Sequence, residues 1–167
     1  GILDGGASAR FSRELVRGEE IATSIGAGYG LFSRLDDLFI VAGTPTKAHT
    51  VSELEQAVMQ QIEELKSELV SEQELKRIQV QVVANKTYER DSVFYQAMQI
   101  GMLETIGLDW RLSEEYVKNI DAVTAQQVQA VARKYFIDKT LTVAELLPQP
   151  IGDKPRPKSS FGVRHGY

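Results

Sequence analysis

Hydrophobic positions along this chain follow two rhythms. From residue 50 onward, Val51, Leu54, Val58, Ile62, Leu65 and Leu69 recur three or four residues apart, the period that lines one face of a helix. Thr50 to Glu53 (TVSE) precedes them as a capping box: the threonine side chain bonds forward to a backbone N–H and the glutamate bonds back. The pattern predicts an amphipathic helix over residues 50–69. Ser71 to Glu74 (SEQE) repeats the box and opens the longest helical stretch. Leu75, Ile78 and Val82 mark its apolar side, and Tyr88, Tyr95, Met98 and Met102 continue it. Residues 89–92 are weaker and kink-prone, and Gly107 ends the run. A shorter helix is predicted over residues 110–119. Thr124 to Gln127 (TAQQ) is a third box, before Val128, Val131, Ala132 and Tyr135.

The other rhythm is extended. After the pair Gly5 and Gly6, Ser8 is expected to cap a short helix with Phe11, Leu15 and Val16 on its apolar side, and Gly18 to close it in a left-handed conformation. Residues 21–31 then read as a strand, with Ile21 and Ile25 on one face and Thr23, Ala27 and Tyr29 between or beyond them. Gly26, Gly28 and Gly30 line it, which suggests a bulge or a close approach by another backbone. Residues 33–37 read as a turn, and the apolar run 38–42 (LFIVA) as a buried strand, so an antiparallel hairpin is expected. Residues 140–147 read as a last strand, ended by Pro148. Strands and helices are segregated, which predicts an α+β fold: a mostly antiparallel sheet with helices packed on one face. The expected division is a domain over residues 1–148 and an exposed, proline-rich basic tail over 149–167.

Composition narrows the function classes. The chain has 167 residues, one domain's worth. A net charge of −4 with mixed signs does not suggest a nucleic-acid binder, whose affinity rests on clustered cations. The absence of cysteine excludes disulfides, thiolate metal sites and cysteine nucleophiles. No apolar run approaches the roughly 20 residues of a membrane helix. Residues 2–6 read as the last turn of a helix begun before residue 1, so a processed product or an excised piece is expected.

Candidate chemistry is sparse. The two histidines, His49 and His165, lack a second histidine at i+4 or a carboxylate spaced for zinc, so HxxEH and similar motifs are absent. The acidic pairs Glu19 and Glu20, Asp36 and Asp37, and Glu63 and Glu64 lie in turns or on polar helix faces, where solvated charge is the ordinary reading. Gly26 to Gly30 (GAGYG) does not match a dinucleotide or phosphate-loop pattern. The tyrosines and methionines of residues 88–102 read as core or interface filler rather than a cofactor box.

Two stretches carry a resemblance. Residues 8–25 (SARFSRELVRGEEIATSI) resemble the S-R-L-x-x-x-L-R-E-x-x-G-L-A-Y-S-V segment of the pitrilysin/insulinase family of zinc peptidases, which includes processing-peptidase-like members. Residues 120–148 resemble that family's ending, a V-T-x-x-x-V-x-x-V-A-x-x-Y helix and then a strand ending in L-x-P. SEQELKRIQVQVV and GLDWRLSEEYVKNI between them keep the same order of helices, so the resemblance covers about residues 1–148.

The resemblance implies two related α+β halves enclosing a chamber. The N-terminal half carries HxxEH and a distal glutamate for zinc; the C-terminal half lacks them and supplies the opposite wall. This chain resembles such a C-terminal half, missing its first strand and part of a helix. No cofactor is then expected in the chain itself, with zinc in the missing half. The implied partners are that zinc half, a peptide substrate and, in bacterial relatives, a related second chain; a bacterial periplasmic or cell-envelope location is implied by similar proteins.

Assisting halves carry an arginine and, seven residues on, a tyrosine that donate to the substrate carbonyl. Here those positions are Val16 and Thr23, and neither can supply a cationic or phenolic donor. Arg17 is one residue off register, about 100° around a regular helix. Tyr29 lies about 20 Å along a regular strand from Thr23. Neither inherits the role. A non-enzymatic assembly or scaffold subunit of the same fold, as in relatives within ubiquinol–cytochrome c reductase, is the alternative.

Overall fold

The computed structural model describes residues 1–89 and 91–149. The predicted tail, apart from its first residue, and His165 lie outside the described residues. The architecture is α+β, as the pattern predicts. A short wide helix, Phe11–Gly18, leads into an antiparallel hairpin of β1 (Ala22–Gly28) and β2 (Ile40–Pro45). Five helices follow: α1 (Val51–Ser67), α2 (Glu72–Glu89), α3 (Val93–Thr105), α4 (Leu112–Asp121) and α5 (Ala125–Tyr135).

The helix starts follow from local bonds. Thr50 Oγ1 accepts from Glu53 N at 3.2 Å, and Glu53 Oε2 accepts from Thr50 N at 2.6 Å. Thr124 and Gln127 build the same reciprocal pair at α5, at 3.2 and 2.9 Å. At α2 only half of the expected box forms. Ser71 Oγ accepts from Glu74 N at 3.1 Å, but the Glu74 carboxylate is drawn to Arg10, 64 residues away, in a two-pronged pair at 2.9 and 3.0 Å. The kink expected at residues 89–92 is a full break: Ser92 Oγ accepts from Tyr95 N at 3.2 Å and starts α3 as a separate helix. Gly107, with φ +83°, ends that run, because only glycine adopts this conformation without strain.

The core lies between the wide helix, β1, α1 and α5. Phe11, Leu15, Ala22, Leu54, Val58, Ile62, Leu65 and Ala132 are buried in one cluster. They include four of the five periodic positions that fall within α1, whose apolar face therefore packs as its spacing requires; the sixth, Leu69, lies beyond the helix end and is exposed.

Four local expectations are corrected. Ser8 does not cap the first helix; its hydroxyl accepts from Arg77 of α2 instead. Gly18 is not left-handed; that conformation falls on Glu20, with φ 54°. Residues 3–6 form bends, and residues 2–6 make no helical turn. The run 38–42 is not a buried strand: β2 starts two residues later, and Leu38 and Ile40 are exposed. Among the described residues the sheet has two strands, so β2 is bonded on one side only, to β1.

The expected strand at 140–147 is unpaired as well. Asp138–Thr140 is a single 3-10 turn, Leu141 is extended, and residues 141–149 form no regular element and do not join the sheet. Of the tyrosines and methionines of residues 88–102, read as core or interface filler, none lies in the core, and Tyr95 is half-buried. Tyr88, Met98 and Met102 are exposed, and Leu103 is the buried residue of α3.

Candidate functional site: the first helix and the hairpin edge

The two positions that the family pattern singles out sit on the wide helix and on β1. The helix is π-type: Glu19 N bonds to the Glu14 carbonyl, five residues back, at 2.7 Å. Each residue therefore turns through less than the about 100° of an α-helix. Phe11 and Leu15 are buried, and Val16 is half-buried against the same core. Arg17, next to it, is exposed and folds back to donate to the Ala7 carbonyl.

Thr23 is the extra residue of a β-bulge. Ala22 pairs with Pro45 and Ser24 with Thr44, so two steps on β1 match one on β2. The bulge resets the alternation, which lets buried Ala22 and half-buried Ile25 and Ala27 all serve the core. Thr23 itself is exposed, and its hydroxyl donates to the Pro45 carbonyl at 3.3 Å. Val16 and Thr23 thus bring together no cationic or phenolic donor. Tyr29 lies beyond the end of β1 with its ring exposed.

A feature that the sequence did not reveal lies along β1. Asp4 Oδ2 accepts from Ala27 N at 2.8 Å, so a side chain occupies the place of a strand partner. A Cβ on Gly26 would meet the same oxygen at 3.3 Å, which is why glycine suits this position. Beside it opens a mostly apolar cavity of about 550 Å³, lined by Leu3, Ala27, Phe39, Leu65, Val128 and Phe136 among others. Phe39 meets Phe136 edge to face at 5.0 Å, tying the start of β2 to the end of α5. The glycines in the sequence signalled a close approach; nothing in it signalled that Asp4 would supply the contact.

The remaining candidates are structural. His49 Nδ1 lies 3.7 Å from Glu53 Oε2, inside the α1 cap, and the Thr50 backbone bond holds that carboxylate below its usual range. Of the acidic pairs, Glu19, Glu20, Asp36, Asp37 and Glu63 are exposed, and Glu64 is half-buried near Arg10. Among the described residues no group of three or more His, Asp or Glu could hold a metal ion, so the residues present do not fit a zinc centre.

Two polar clusters missed by the sequence reading hold the helices. Gln79 of α2, buried, turns its amide nitrogen toward the Ile120, Asp121 and Val123 carbonyls at 3.1 to 3.2 Å. Lys86 Nζ donates to Gln99 Oε1 at 2.7 Å, pairs with Glu89 at 3.2 Å, and lies 5.3 and 5.8 Å from the Tyr95 and Tyr116 ring centres. Burial and the neighbouring Glu89 push the Tyr95 phenol up. Lys86 and Glu89 stand one helical turn apart, the single local hint of this cluster.

No curated protein matches the chain. Among solved structures, the "inactive peptidase domain of a putative zinc protease" from Bordetella parapertussis superposes with a TM-score of 0.77 at 19% identity, over 95% of this chain and 81% of that one. A "putative zinc protease" from Bordetella pertussis Tohama I gives 0.74 at 19% identity, over 89% and 81%. A protease from Helicobacter pylori gives 0.71 at 21% identity, over 82% of this chain but only 33% of that one; this chain spans about a third of its length. At these identities the likeness is one of fold. The family model described as the peptidase M16 inactive domain matches residues 1–82, which hold the wide helix, the hairpin, α1 and the start of α2. Over those residues, just under half of the chain, the sequence is similar to the peptidase M16 inactive domain.

Proposed function

We propose that this inactive peptidase domain forms the wall of a peptide-binding chamber opposite the zinc-bearing half of a zinc metalloendopeptidase. The match of residues 1–82 to the inactive-domain family carries the reading, and the absence of a metal-holding cluster among the described residues is compatible with it. Zinc then resides in the other half, residues 1–148 make up the domain and 149–167 its tail. The partners are the zinc half and the peptide.

Val16 and Thr23 sharpen this. A tetrahedral intermediate of peptide cleavage gathers negative charge on the former carbonyl oxygen, and each donor placed there supplies about 3 kcal/mol. Val16 offers no donor, and the Thr23 hydroxyl is turned to Pro45. The donors therefore come from elsewhere, and a related second chain is the proposed source. The same two residues favour a second reading, a non-enzymatic assembly subunit.

The test is to purify the full-length parent alone and assay it on unstructured peptides, with and without a related partner chain encoded elsewhere. Little turnover alone and a gain on adding the partner is the expected result. Robust zinc-dependent turnover by the lone chain, unchanged by the partner, would overturn the second-chain reading. A parent without HxxEH in its other half would leave the assembly reading standing instead.

A further inference from the structure

We draw no further inference here: the strongest candidate, the apolar tip of the hairpin between β1 and β2, where Leu31, Leu35 and Leu38 stand exposed on a loop that the Asp37 carboxylate closes by accepting from the Ser33 hydroxyl and the Leu38 N–H, carries nothing because nothing in the structure shows what covers it.

Discussion

The part of the molecule up to α1 and the part from α2 to α4 are held by different forces. In the first, the wide helix, β1 and α1 bury Phe11, Leu15, Ala22, Leu54, Val58, Ile62 and Leu65 in one apolar cluster, joined by Ala132 of α5. In the second, α4 buries no residue and α3 buries Leu103 alone. Val93, Phe94 and Met98 face outward, and polar side chains do the joining: Gln79 on three carbonyls, and Lys86 among Gln99, Glu89 and two tyrosine rings. Apolar packing tolerates exchange of similar shapes, whereas a polar clasp depends on individual donors. The family model ends at residue 82, inside α2, where the first regime gives way to the second.

The contrast can be broken at either end. The largest effect is expected at Phe11, fully buried, where Phe11→Ala should cost about 3–5 kcal/mol through lost contact and a residual cavity. Met98→Ala on the exposed side of α3 should change stability by no more than about 0.5 kcal/mol. Urea unfolding of both variants measures the difference; equal midpoints would show that the two regions do not differ as described.

The seam between the regions is the Arg10–Glu74 pair, whose side chains are 12% and 11% exposed. The bonds from Arg10 hold the Glu74 carboxyl below the usual glutamate range. In the unfolded chain it titrates near its ordinary value of about 4.3. Between that value and the lowered folded one, the unfolded state binds the extra proton, so stability is present above the window and lost as pH falls through it. Glu74→Gln should cost about 1.5–3 kcal/mol at neutral pH. Its urea midpoint should approach that of the parent as the solution is acidified. A constant gap at every pH would show that the pair contributes through shape rather than charge.

Gln79→Met keeps the volume of the side chain but removes the amide. The Ile120, Asp121 and Val123 carbonyls then lose their donor, at a cost of about 1–2 kcal/mol. Trp110, one residue before Arg111, the N-cap of α4, should report the change locally by fluorescence during mild denaturation. A variant as stable as the parent would mean that α4 rests on packing after all. A smaller effect than at Gln79 is expected at Ser71, which makes half of a capping box. Ser71→Ala should cost about 1 kcal/mol, a shift of a few degrees in melting temperature.

Legibility in the sequence divides along the same line. The boxes at Thr50 and Thr124, the cap at Ser71, the end at Gly107 and the period of Leu54, Val58, Ile62 and Leu65 were all readable, and the structure keeps them. So was the resemblance of residues 8–25 to the peptidase family. A capping bond joins residues three apart, and helical periodicity is a property of one short segment, so both are written locally.

Tertiary structure decided the rest. Arg10 drew Glu74 out of its box, and Arg77 took Ser8 away from the helix that it was expected to cap. Asp4 came to occupy the edge of β1 across 23 residues of sequence. Thr23 became a bulge because β2 pairs with β1 in a register that only the assembled hairpin sets. Residues 140–147 carry strand-forming side chains yet join no strand, since a strand exists only where another supplies the facing donors and acceptors. The sequence determined which segments are helices and where they start. The pairing of distant polar groups determined the edge, the bulge and the seam, because those groups become neighbours only once the chain has folded.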